Sequence, residues 1–99
     1  MIAEPVLWTT PAMHHLHDLH SYLAESSIAA ADSQLAIIFS ATTSLAQFPE
    51  KGRPGRRRGT RELVVLGTRY IVAYRVAKRS ITILAVIHGA RRWPRNFGT

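Results

Sequence analysis

Two groups of residues in this chain are of types and spacings that can do chemistry. His88 closes a β-prone run, Val86-Ile-His-Gly-Ala-Arg-Arg-Trp-Pro94, with Arg91 and Arg92 close behind it. An imidazole can act as acid or base near neutral pH. Guanidinium groups bind phosphate and stabilise the charge that builds on a phosphorane. Together these groups suit cleavage of RNA through its 2′-hydroxyl, although a histidine that only caps the strand end fits the spacing as well. The second group is Arg53, Arg56, Arg57, Arg58 and Arg61. It is a phosphate-binding candidate, but it lacks the Gly-rich loop ending in Lys-Ser/Thr that cradles a nucleotide.

The remaining candidates are less specific. Tyr70, Tyr74 and Trp93 can stack on bases. Tyr70 and Tyr74 are four apart on a strand and so share one face, which equally suits sheet packing. His14, His17 and His20 recur every three residues, with His15 beside them. Neutral imidazole is a good metal ligand. Six helical residues turn the chain too far for one ion to take all three, so a polar, His-rich helix face is the simpler expectation and no metal is assigned. No Ser-His-Asp order, paired carboxylates or His-Glu-x-x-His motif stands out, and no cofactor is expected.

Charge divides the chain. All 13 Lys and Arg lie between Lys51 and Arg95. Thirteen bases against the single acid Glu62 give the second half +12, and five acids without a base give the first fifty residues −5, together the net +7. Such a field favours phosphate polymers or an acidic protein partner and does not bear on fold. Zero cysteines exclude disulfides and thiolate zinc sites. No apolar run approaches the ~20 residues that cross a bilayer, and Met-Ile-Ala-Glu-Pro has no basic n-region of a secretory signal. A cytoplasmic protein without a membrane partner is the expectation.

The elements that must position these residues follow from periodicity. Ninety-nine residues make one domain. A short first strand is expected between Ile2 and Thr9, with Pro5 at its start or on an edge. Thr10-Pro11 reads as a helix start, Thr10 as cap. Leu16, Leu19 and Leu23 then recur at helical spacing. Ser26 or Ser27 caps a second helix, whose apolar seam of Ile28, Ala31, Leu35, Ile38, Thr42 and Leu45 runs until Phe48-Pro49. The short link predicts an antiparallel helical hairpin. Glu50 to Thr60 reads as a loop. Glu62–Leu66, Tyr70–Val76 and Ile81–Ile87 read as three strands. The last is apolar on both sides, as expected of a central strand. Residues 95–99 read as a loose tail. The order is β-α-α-β-β-β: α+β, with the helical hairpin packed on a small, mostly antiparallel sheet.

Several stretches, in their order and spacing, resemble toxins of the RelE/ParE superfamily from bacterial type II toxin–antitoxin modules. They are Leu19-His-Ser-Tyr-Leu-Ala-Glu25, Leu45-Ala-Gln-Phe-Pro49, Gly52-Arg-Pro-Gly55, Gly59-Thr-Arg-Glu-Leu-Val64, Tyr70-Ile-Val-Ala-Tyr-Arg-Val76 and Val86 to Pro94. The resemblance spans about Trp8 to Pro94 and implies the same hairpin-on-sheet fold. It implies one of two activities: RelE-like members are ribosome-dependent mRNA interferases, and ParE-like members inhibit DNA gyrase without cleaving. The nucleases carry an arginine where Ile71 stands here, and they tend to end in a catalytic Tyr that does not follow His88-Gly89. A ParE-like toxin is therefore the expectation. Its target-binding residues would be Arg53, Arg56, Arg57, Arg58, Arg61, His88, Arg91, Arg92 and Trp93. A nuclease would instead use His88, Arg61, Arg75 and Arg91. The resemblance also implies a hetero-oligomer with a cognate antitoxin bearing an acidic, partly disordered segment. Leu16, Leu23, Leu35, Ile38 and Arg75 are its expected contacts.

Overall fold

The computed structural model describes residues 5–90 and Trp93. Its elements are β1 (Val6–Trp8), α1 (Thr10–Ala24), α2 (Ile28–Ser44), β2 (Arg53–Pro54), β3 (Arg61–Val64), β4 (Tyr70–Ala77) and β5 (Ser80–His88). The strands form one sheet in the order β1-β5-β4-β3-β2. β1 pairs in parallel with β5, while the other neighbours are antiparallel. β5 is thus an interior strand, flanked by β1 and β4, which agrees with an apolar sequence on both its faces. No helix among the described residues is long and apolar enough to cross a membrane.

Several boundaries differ from expectation. The α1 cap is Thr9, not Thr10: its Oγ1 accepts from the Ala12 N–H at 3.2 Å and donates to the Ile83 carbonyl at 3.0 Å. One hydroxyl thus caps the helix and ties it to β5. Ser27 caps α2, accepting from the Ala30 N–H at 3.1 Å. α2 ends at Ser44 with Leu45 as its C-cap, before Phe48-Pro49. The expected loop from Glu50 to Thr60 holds an additional strand, β2, whose Arg53 and Pro54 stand opposite Glu62 and Arg61. The expected start of β1 near Ile2 lies outside the described residues.

One core fills the space between the helices and the sheet. Ala12, Leu16 and Leu19 of α1 and Ile38 of α2 meet Leu63, Val72, Tyr74, Ile81 and Ile83 of the sheet there. Ile28, counted in the α2 seam, is exposed at the helix start, while Ala31, Ile38, Thr42 and Leu45 are buried. A second, smaller cluster of Ala73, Leu84, Ala85 and Ile87, with Trp93 packed against it, lies apart from that core.

An irregularity in β5 accounts for these two clusters. Along the β4–β5 ladder, Ala73 faces Ala85 but Tyr74 faces Ile83, so Leu84 is an extra residue. A bulge of this kind inverts the alternation beyond it. Ile81 and Ile83 point to the helices, and past Leu84 the residues that do so are Val86 and His88. Ala85 and Ile87 turn to the other face.

Candidate functional site

The basic loop is built around Glu62 of β3, the one acid in the second half of the chain. Glu62 is buried, with 3% of its surface exposed. Its Oε2 accepts from the Arg56 backbone N–H at 2.7 Å and from Arg56 Nε at 3.2 Å, and its Oε1 accepts from Arg53 Nη2 at 3.1 Å. Burial alone would raise the carboxyl pKa. The backbone and side-chain hydrogen bonds from Arg56, with that from Arg53, outweigh it and hold the pKa below the usual value. Desolvating a carboxylate is costly unless its lone pairs are met, so Glu62 fixes both arginines in place. Arg56 in turn lies over the Trp93 ring, its Cζ 3.6 Å from the centroid.

A second brace crosses the loop's base. The buried Tyr74 hydroxyl accepts from the Gly52 N–H and donates to the Pro49 carbonyl, each at 2.8 Å. Burial, the largest influence, pushes the Tyr74 pKa up. Arg61 Nη1 donates to the Gly52 carbonyl at 2.6 Å, and its Nη2 lies 3.6 Å from Glu50 Oε1. Arg53, Arg56 and Arg61 are therefore shaped by contacts within the fold, and Arg57 and Arg58 are exposed at its tip. Glu62 and Gly52 were not among the expected functional residues. A lone acid among thirteen bases was the available signal for the first.

His88 sits at the opposite end of the sheet. Its Nδ1 accepts from the Ala90 N–H at 3.1 Å, which leaves the neutral ring its proton on Nε2. Tyr70 meets the ring edge-on at a centroid separation of 5.5 Å. His88 lines a cleft of about 500 Å3 together with Tyr22, Gln34, Thr68, Arg69 and Tyr70. Arg75 stands opposite Thr82, near the other end of the same strand pair. The five residue steps from Tyr70, the partner of His88, to Arg75 span roughly 16 Å. Alternation also turns Arg75 to the face away from the helices. The candidate nuclease residues His88, Arg61 and Arg75 are thus not brought together. Arg91 and Arg92 lie outside the described residues.

The helical histidines have separate partners. His20 Nε2 lies 2.7 Å from Asp32 Oδ1 across the hairpin, and His17 lies 3.8 Å from Asp18. His15 Nδ1 accepts from the Val86 N–H at 3.2 Å, an α1-to-β5 link that spacing did not reveal. Burial lowers the His15 pKa, opposed by Asp18 and assisted by His14. Among the described residues no group of three or more His, Cys, Asp or Glu could hold a metal ion.

The residues expected to contact an antitoxin divide. Ile38 is fully buried in the core, while Leu16, buried but for a small part of its surface, reaches the wall of an apolar cleft. Leu23 and Leu35 are half-buried and Arg75 is exposed. That cleft is lined by Trp8, Met13, Leu16, Leu35 and Phe39. Tyr70 and Tyr74 are core residues on the helical face and are not exposed for base stacking.

Comparison with known proteins agrees with this architecture. The family model described as ParE toxin of type II toxin–antitoxin system, parDE, matches residues 6–93. Y4kP of Sinorhizobium fredii, provisionally named a toxin, is 37% identical over 94 residues, covering 95% of this chain and 97% of that one. Toxin RelE2 of Caulobacter vibrioides is 35% identical over 86 residues, covering 87% and 96%. Among solved structures, a chain of the chromosomal ParDE system from P. aeruginosa superposes with a TM-score of 0.79 at 22% identity, covering 87% of this chain and 96% of that one, a likeness of fold. A chain of the RelBE2 toxin–antitoxin complex from Mycobacterium tuberculosis gives a TM-score of 0.64 at 26% identity, covering 88% and 99%. With a family match that spans nearly the whole chain and a fold shared with both neighbours, this chain belongs to the ParE toxin family of type II toxin–antitoxin systems.

Proposed function

We propose that this toxin acts by binding and not by cleavage, with DNA gyrase as its target, and that a cognate antitoxin neutralises it. The observation that carries the reading is the dispersal of His88, Arg61 and Arg75, which a nuclease would need together. His88 and Arg75 lie at opposite ends and on opposite faces of β4–β5. Arg61 is engaged by the Gly52 carbonyl. Ile71, opposite Ile87, fills the place where resemblance to the nucleases calls for arginine. A neutral aliphatic side chain stabilises no phosphorane charge. The contact surface is the rigid basic loop with Arg57 and Arg58 at its tip, and the end of the sheet around His88. The antitoxin is inferred from the family and from the RelBE2 complex, and an acidic segment on it would be steered by the basic half.

The competing reading is a ribosome-dependent mRNA interferase with His88 as acid or base. Titrating purified toxin into a gyrase supercoiling assay, alongside primer extension on mRNA from induced cells, separates the two. Loss of supercoiling with intact mRNA is expected, weakened by Arg57→Glu and Arg58→Glu together. Codon-phased cuts with supercoiling untouched would replace the gyrase reading by the nuclease one.

A further inference from the structure

Two hairpins bring their turns to the same end of the sheet. In the β2–β3 hairpin the Gly55 N–H donates to the Thr60 carbonyl at 2.7 Å, which closes the loop 56–59. In the β4–β5 hairpin Ala77 pairs with Ser80 across the turn Lys78-Arg79. Arg61 of β3 stands opposite Tyr74 of β4 in an antiparallel pair, so the chain before Arg61 and the chain after Tyr74 leave the sheet at one end. The midpoints of the two hairpins are two strand spacings apart, roughly 10 Å. Arg57 and Arg58 come from the first turn, and Arg75, Lys78 and Arg79 from the end of the second hairpin; all five are exposed. Neither 53–61 nor 75–79 contains an acid, and the adjoining Glu62 is buried and taken up by Arg53 and Arg56. Among the described residues Arg58, Arg75, Lys78 and Arg79 form no ion pair. Like charges gathered in this way repel one another, and the Glu62 and Tyr74 braces hold the loop there nonetheless.

We propose that this end of the sheet binds the phosphate backbone of duplex DNA without reading its sequence. The two segments contain no aromatic residue on which an unpaired base could stack. Their one exposed large apolar side chain is Val76, too little to anchor a protein partner. What they offer is cations, which position a protein on phosphates and carry no sequence information. The roughly 10 Å between the two hairpins, with long side chains reaching out from each, suits the two rims of a B-form major groove about 12 Å wide. The deep, narrow major groove of A-form RNA fits this spacing less well. The inference does not depend on the gyrase reading, because free duplex is bound with no gyrase present.

Fluorescence anisotropy of a short labelled DNA duplex, titrated with the full-length toxin at several NaCl concentrations, tests it. Five phosphate contacts predict that log K falls against log [NaCl] with a slope of about −4.5, equally for two duplexes of unrelated sequence. Arg79→Gln should make the slope about 0.9 shallower, and Arg75→Gln, Lys78→Gln and Arg79→Gln together about 2.7 shallower. Lys51→Gln, which removes one charge beside the groove between α2 and β3, should leave slope and affinity unchanged. If the triple variant fails to fold, the wild-type slope and the contrast between Arg79→Gln and Lys51→Gln still decide. No binding at low salt, or a wild-type slope shallower than about −2, overturns the proposal. An equal loss from Lys51→Gln overturns the placement, and tighter binding of single-stranded DNA or duplex RNA overturns the choice of ligand. Duplex binding with supercoiling untouched overturns the gyrase reading alone, and gyrase inhibition without duplex binding overturns this inference alone.

Discussion

The Tyr74 hydroxyl and the Gly52 N–H meet at 2.8 Å in a space that admits no side chain. A Cβ added at Gly52 would stand 2.7 Å from the Tyr74 hydroxyl oxygen and 2.8 Å from the Glu62 carbonyl oxygen. The loop that carries the arginines approaches the sheet this closely because position 52 is glycine. Tyr74→Phe should cost about 1–3 kcal/mol by leaving the Gly52 N–H and Pro49 carbonyl unmet. Gly52→Ala should cost a similar ~1–3 kcal/mol by overpacking. Thermal unfolding checks both, and a double mutant that loses less than the sum of the two would show that they act through one contact.

Acid should weaken the fold through Glu62. Its folded pKa is depressed below the ordinary 4.5, so its stabilisation is complete above that value and is lost as pH falls through the lower, folded pKa. Glu62→Gln should unfold with a flatter pH dependence below about pH 4.5. At neutral pH it should cost about 1 kcal/mol, a modest figure because both arginines are half exposed. Denaturant titrations across this range measure the effect.

His15 should titrate below its ordinary 6.5, since burial disfavours the charged ring and the Val86 N–H requires an unprotonated Nδ1. A depressed histidine contributes stability above its unfolded pKa and loses it as pH falls through the folded one. NMR titration should therefore find His15 protonating below pH 6.5, with the Val86 amide signal moving in step. An unchanged Val86 amide through the transition would contradict the link.

The hairpin residues should separate into two classes. Leu16→Ala and Ile38→Ala, both within the core, should each cost about 2–5 kcal/mol. Met13→Ala and Phe39→Ala, both exposed, should cost far less. Circular dichroism melts distinguish them, and an antitoxin pull-down then reports whether the exposed pair contributes to binding.

Much of this fold was legible in the chain because its signals are local. The 3- and 4-residue steps of Leu16, Leu19 and Leu23 and of Ala31, Leu35 and Ile38 read as helices, and three apolar runs after Glu62 read as strands. The charge boundary at Lys51 needs no structure at all. The rest depends on contacts between residues far apart in sequence. β2 is two residues long and exists only through Arg53 and Pro54 pairing with Glu62 and Arg61. Thr9 replaces Thr10 as the cap because its hydroxyl also reaches the Ile83 carbonyl. Glu62 looks in sequence like an ordinary exposed acid, and only the approach of Arg53 and Arg56 makes its burial tolerable.

The face of His88 shows the division most sharply. Its type, its place at a strand end and the arginines after it are all in the sequence. Strict alternation from Ile81 and Ile83 would turn Ala85 and Ile87 to the helices and set His88 on the opposite face. The extra residue Leu84, accommodated because Tyr74 pairs with Ile83, turns it to the helical side beside Tyr70 and away from the face that carries Arg75. Side-chain direction in a strand has period two, so one bulged residue reverses every position beyond it. Where that residue falls is decided by the partner strand, which lies outside the stretch of sequence it redirects.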